Sequence, residues 1–191
     1  MAKRAKRKSP ASESSVPALP VKMIISGGQT GVDRAALEVA IKFHIPHGGW
    51  CPRGRLAEDG RIARHFKLKE TESSRYYIRT ELNVQEADGT LILFGKQLHG
   101  GTALTKRYAQ RHRKPVLAVD IVRDNVAEQV TRIRRWLIVR KIQILNIAGP
   151  RESSSPGIGA IARRLLIQLL QPAHQPARPK PSRSVRRRAV N

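Results

Sequence analysis

Short apolar runs alternate along the chain with stretches whose apolar residues recur three and four positions apart. The runs predict strands and the spaced stretches predict helices. Residues 22–26, 88–95, 114–120 and 142–149 read as strands. Thr90-Leu91-Ile92-Leu93-Phe94 is almost continuously apolar, as a strand buried on both faces of a parallel sheet should be. Residues 31–43, 74–86, 124–138 and 157–170 read as helices, and another opens at 100. Val32, Ala36, Val39, Ala40 and Phe43 share one face of the first helix. Leu104, Tyr108 and Ala109 point inward from the helix after 100, and Val126, Val130, Ile133, Trp136 and Leu137 from the next. In 74–86, Tyr77, Thr80, Leu82 and Val84 follow the period only in part. Arg79, Thr80 and Asn83 form a polar cluster there that a solvated face explains equally well. His44-Ile45-Pro46 ends the first helix, because the residue before a proline avoids the α region. Residues 47–60 hold four glycines, one proline and no period, and read as a long loop.

Strands and helices alternate with short joins. That predicts an α/β fold: a doubly wound, mainly parallel sheet flanked by helices, in a single domain over 21–171. Residues 1–20 and 172–191 are basic, proline-bearing and expected to be disordered tails. In such sheets ligands sit at the strand carboxyl ends. Four of those ends carry polar or glycine-rich turns: 26–33, 99–105, Asp120 and 146–155.

The turns suggest anion binding. Ser26-Gly27-Gly28-Gln29-Thr30-Gly31 joins a strand to a helix, where free N–H groups and the helix dipole favour negative charge. Thr30 and Asp33 stand at capping spacing. His99-Gly100-Gly101-Thr102-Ala103-Leu104-Thr105 repeats the arrangement. Asn146 to Ser155 is a third such turn, with Ser155 and Pro156 as cap and first helical residue. Trp50 anchors the long loop, from which Arg53 and Arg55 can grip a phosphate or carboxylate.

Charge widens the range of partners. Formal net charge is +23 over 191 residues. Eleven of the 37 Lys/Arg and one of the 14 acids lie in the tails, leaving 26 basic and 13 acidic residues in 21–171. Body and tails alike attract phosphate-bearing partners, small or polymeric. Aromatic content of 4% offers little for base stacking. Cys51 is the only cysteine, which excludes an intrachain disulfide and fits a cytoplasmic location. It reads as a small buried residue rather than a nucleophile or metal ligand. No apolar run of about 18 residues predicts a membrane span. The basic N-terminus lacks the apolar segment of a secretory signal. The six histidines show no paired ligand spacing, so no metal held by side chains is expected.

Taken together, SGGQTGVDRAALEVA, GGWCPRGRLAEDG, YYIRTELNVQEADGTLIL, HGGTALT and LNIAGPRESSSPGIG resemble the putative molybdenum-carrier family. That family lies within a Rossmann-like superfamily of nucleotide-binding and nucleotide-processing proteins, which also holds the lysine-decarboxylase-like, cytokinin-activating phosphoribohydrolases. The resemblance covers 21–171 and neither tail. It implies a Rossmann-like fold that holds molybdenum cofactor, a phosphorylated pterin, or a nucleotide-like ligand, in a homo-oligomer. By motif it implies binding by Gly27, Gly28, Gln29, Thr30 and Gly31, by Gly100, Gly101, Thr102 and Thr105, and by Asn146, Gly149, Arg151, Glu152 and Ser153, with Arg53 and Arg55 from the intervening loop. The phosphoribohydrolases carry PGGxGTxxE, whose glutamate is thought catalytic. Here His99 to Lys106 lacks both the second glycine-threonine pair and the glutamate. Glu58, Asp59 and Glu152 are the other carboxylates near these motifs. The expectation is therefore a non-catalytic binding protein. An N-glycosidase or phosphoribohydrolase, and a nucleic-acid binder working through the basic tails, stand as the alternatives.

Overall fold

The computed structural model describes residues 17–123 and 125–171. The expected tails lie outside those residues, apart from 17–20. In chain order the elements are β1 (Met23–Ile25), α1 (Val32–Lys42), β2 (His47–Gly48), β3 (Trp50–Cys51), β4 (Leu56–Ala57), β5 (Gly60–Arg61) and β6 (Lys69–Glu70). Then come α2 (Tyr76–Glu86), β7 (Gly89–Phe94), α3 (Gly100–Arg111), β8 (Val116–Asp120), α4 (Val126–Val139), β9 (Ile144–Ala148) and α5 (Ile158–Leu170).

The main sheet has five strands in the order β2-β1-β9-β7-β8, and every pairing is parallel. Helix α5 packs on both α1 and α4, and α2 packs on α3. This is the expected doubly wound α/β architecture. Its order becomes familiar on counting β9 as the first strand: it then reads 3-2-1-4-5, the order of a dinucleotide-binding sheet. The last strand and helix of this chain thus occupy the place that the first strand and helix hold in that arrangement. The winding reverses between β9 and β7, where α/β sheets open a crevice at their carboxyl ends.

Burial follows the apolar pattern. Ile24, Leu91, Leu93, Leu145 and Ile147 are fully buried between the helical layers. Val32, Ala36, Val39 and Ala40 are buried as expected, while Phe43 is half-buried. Ile133 and Leu137 anchor α4. Cys51 sits in a small satellite core with Leu37, Ile62 and Phe66, and burial pushes its thiol up, away from reactivity.

Three helices end in the same way. After α1, His44 N–H donates to Ile41 O and Ile45 N–H to Ala40 O. After α3, Arg113 N–H donates to Gln110 O and Lys114 N–H to Ala109 O. After α4, Lys141 N–H donates to Ile138 O and Ile142 N–H to Leu137 O. Each is a Schellman cap, satisfying carbonyls the helix would otherwise strand. A backbone motif, more than Pro46, stops α1.

The stretch 47–60 departs from its reading as a loop. It contains β2, the edge strand of the main sheet, plus β3, β4, β5 and a 3₁₀ turn at Arg53–Arg55. Two-residue strands carry too few side chains to show a period. They are held from outside: Asn83 Oδ1 accepts from Trp50 N–H at 2.8 Å and its Nδ2 donates to Trp50 O at 3.0 Å. Asn83 and Thr80 are buried, so the polar cluster on α2 is not a solvated face.

Candidate functional site

The carboxyl ends of β1, β7 and β9 open on a cleft of about 380 Å³. Its lining draws on four segments: Gln29; Tyr76, Tyr77, Arg79 and Thr80 of α2; His99, Gly100, Gly101, Thr102 and Leu104 at the start of α3; and Gly149, Pro150, Arg151 and Ser154. The volume lies within the small-molecule range.

Three turns were expected to hold anions, and the structure uses them unequally. The first is closed on itself. Gly31, at φ +73°, caps α1 in place of Thr30, and Val32 N–H donates to Pro150 O. Thr30 Oγ1 instead bonds the Glu58 carboxylate and accepts from Glu152 N–H. Glu58 also takes Ser153 N–H at 3.1 Å and the Ser153 hydroxyl, and pairs with Arg151 at 3.6 Å. Gln29 Oε1 accepts from Glu58 N–H and Thr30 N–H. Glu58 therefore sits where an anionic ligand was expected, and clasps the first turn to the third.

The third turn caps its own helix. Ser155 and Pro156 do not begin α5; the cap is Gly157, in the left-handed region. The Glu152 carboxylate accepts from Gly157 N–H and Gly159 N–H, filling the helix start with a side chain from the same turn. Asn146 Nδ2 donates to Thr90 Oγ1 beneath the site.

The second turn stays open. α3 begins after His99 with no side-chain cap, and a methyl group added at Gly100 or Gly101 would meet nothing within 4 Å. Gly100, Gly101 and Thr102 of its first turn line the cleft, with Thr102 N–H donating to His99 O. Thr102 lines that cleft, whereas the Thr105 hydroxyl donates back to Gly101 O.

Arg79 is the cation that sequence reading passed over. Its Nη1 donates to Asp33 Oδ2 at 3.0 Å, while its buried Nε has no partner among the described residues. The backbone amides of Gln29 and Gly149 lie near the Asp33 carboxyl and favour its charged form. Burial pushes the Asp33 carboxyl up, and Arg79 offsets part of that. One buried carboxylate thus fixes Arg79, the first turn and the exit of β9. A glycine is required at position 27 because a Cβ there would stand 1.6 Å from Arg79 Nη1.

The expected loop arginines lie elsewhere. Arg55 is buried and donates to the carbonyls of Ile62, Ala63, Leu68 and Phe66. It is a staple of its own loop. Arg53 is exposed and outside the cleft lining. Asp120 is a turn residue, accepting from Val122 N–H. Gly28 packs against Leu68 and Ile62.

The clasp has a pH signature. Burial pushes Glu58 up, but bonds from Ser153 and Thr30 and the Arg151 charge outweigh it and hold it below the usual range. Bonds from Arg34 hold Asp59 below it too, against some burial. In acid the unfolded chain then binds protons before these two folded carboxylates do. Their stabilisation is present above the ordinary carboxylate range and is lost as pH falls through the depressed folded values. The thermal midpoint is expected to fall below about pH 4. A Glu58→Gln variant should lose less on acidification, and identical pH profiles would exclude the clasp as the cause.

The match to known proteins follows the same outline. The chain matches the model of the circularly permutated YpsA SLOG family over residues 24–170. It belongs to that family. The permutation agrees with the sheet, in which β9 and α5 close the chain where they would otherwise open it. The chain is also similar to a putative molybdenum carrier protein from Syntrophus aciditrophicus SB, solved as a crystal structure. That family neighbour is 46% identical over 80% of this chain and 96% of its own, with a TM-score of 0.77. No curated protein matches. As in the sequence reading, no helix among the described residues is long and apolar enough to cross a membrane.

Proposed function

We propose that the cleft holds a small phosphorylated ligand bearing a planar ring: a pterin such as that of molybdenum cofactor, or a nucleotide. The observation that carries this is the convergence of the uncapped start of α3 with Arg79, whose buried Nε lacks a partner among the described residues, on one cleft at the switch of winding. The helix start and guanidinium suit a phosphate. Tyr76 and Tyr77, 42% and 44% exposed, offer aromatic faces for a ring. Arg151 and His99 complete the polar lining.

The neighbour's name supports a molybdenum-bearing cargo. Among the described residues no group of three or more His, Cys, Asp or Glu could hold a metal ion. In this reading molybdenum is carried on its own organic ligand, gripped through phosphate and ring. The lining fits those two parts of the cofactor.

The arrangement favours holding over hydrolysis. The cleft-lining residues include no carboxylate; Asp33 is paired with Arg79, and Glu58 is bound to Thr30 and Ser153. An N-glycosidase needs a carboxylate within reach of the scissile bond. The test is calorimetric titration of the full chain with a pterin phosphate, a nucleoside 5′-monophosphate, inorganic phosphate and molybdate. One saturable site, tighter for a ring phosphate than for inorganic phosphate, is expected. Equal affinity for all four would contradict the ring, and release of free base would contradict simple holding.

A further inference from the structure

The five parallel strands place all their amino ends on one edge of the sheet, opposite the end that bears the cleft. The joins that enter those strands are basic. In sheet order they bring Lys42 and His44 before β2, Lys22 before β1, Arg140 and Lys141 before β9, Asp88 before β7, and Arg113 and Lys114 before β8. Neighbouring joins are in contact. Lys22 N–H donates to Gln143 O, Asp88 N–H to Ile144 O, and Lys114 Nζ to Ala87 O. Lys22, Lys42, Arg113, Arg140 and Lys141 are exposed and form no ion pair among the described residues. Glu86, which ends α2 as Lys42 ends α1, and Asp88 are the acids here; Glu86 pairs with Lys69, and the Asp88 carboxylate is occupied by the N–H groups of Gln143 and Ile144.

The backbone gives an independent sign. His44, Arg113 and Lys141 each follow a Schellman cap at φ +55°, +52° and +53°. Glycine adopts that conformation without strain and usually stands there. Here all three positions carry a basic side chain and project it from the same edge. The helix dipole favours a cation near a helix end, but nearby Lys42, Arg111 and Arg140 already meet that need.

Both ends of the described chain reach this edge. Leu19–Lys22 lead directly into β1. α5 runs parallel to α1, since Gly159 lies against Gly31 and Arg163 pairs with Glu38, so it ends here too.

We propose that this edge binds the phosphodiester backbone of nucleic acid without reading its bases. Four inter-strand steps of about 4.8 Å make a basic row about 19 Å long. That spans roughly half a turn of duplex measured along its axis, where each strand brings a phosphate about every 3.4 Å. Ile41 and Val139 are the exposed large aliphatics nearby, and residues 1–18 and 172–191 contain no Trp, Phe, Tyr or Leu. The apolar anchors of a membrane-surface binder are therefore lacking.

The experiment uses the full chain and a short fluorescein-labelled DNA duplex, followed by anisotropy across a salt series. The comparison is the full-chain variant K22Q/R113G/R140Q/K141G. Glycine suits the two left-handed positions, so the thermal midpoint of this variant is expected to be no lower than that of the parent. Its affinity is expected to drop at least tenfold at fixed salt. The slope of log K against log salt should become shallower by about 3 to 4, as loss of four phosphate contacts requires. Unchanged affinity and slope would overturn the proposal and leave binding to the tails alone. Tighter binding to anionic lipid vesicles than to the duplex would overturn it in favour of a membrane surface.

Discussion

An Asp33→Leu variant is expected to lose about 3–5 kcal/mol of stability, the usual cost of breaking one side of a buried ion pair. Asp33 is 3% exposed, and its carboxylate receives Arg79 Nη1 at 3.0 Å. Leucine would leave the half-buried guanidinium without its counter-charge. For a domain of this size the midpoint should fall by roughly 10 °C or more. Arg79→Leu should cost less, because burial already pushes the Asp33 carboxyl up and a proton can neutralise it. The double variant should be more stable than the sum of the single effects allows, by about 1 kcal/mol or more. Chemical denaturation of the four proteins checks this. A loss below about 1 kcal/mol for Asp33→Leu would mean the pair does not organise the site.

Gly149→Ala is the second large effect. A Cβ at Gly149 would stand 2.3 Å from Leu93 O and 2.5 Å from Val32 Cγ2, and neither the β7 backbone nor the start of α1 can move aside. The expected loss is about 3 kcal/mol or more, typical of severe overpacking. Gly101→Ala, with nothing within 4 Å, is the control and should gain about 0.5–1 kcal/mol from better helix propensity. Two neighbouring motif glycines thus have opposite expected signs, read by thermal unfolding. Equal effects would remove the distinction between a packing glycine and an open one.

That distinction marks how far the sequence was legible. The long strands and all five helices announced themselves, because a six-residue buried run such as Gly89–Phe94 and the faces of α1 and α4 impose periods that packing obeys. The placing of glycine-rich turns at strand ends was legible for the same reason. The division of labour among those turns was not. Gly-rich turns look alike in sequence, whereas their openness depends on whether a distant carboxylate reaches them. Glu58 reaches the first turn from 28 residues away, which no local pattern reveals. Glu152 was read as a ligand contact, yet it caps the next helix. Arg55 was read as a phosphate grip because arginine in a loop usually points outward; here its left-handed backbone, φ +57°, turns the guanidinium into its own loop. Arg79 showed only a partial helical period, and its importance comes from Asp33, 46 residues earlier.

The central claim is that the start of α3 is an anion site. Gly101→Asp addresses it most directly. The position has room for a side chain, and an acid in the first turn of a helix is favourable for folding, so the variant should keep or raise the thermal midpoint. It would nevertheless place a negative charge where the ligand phosphate is proposed to sit. Calorimetric titration of both proteins with a nucleoside 5′-monophosphate should show one site in the parent and at least about tenfold weaker binding in the variant. Undiminished binding in a fully folded Gly101→Asp protein would contradict the account.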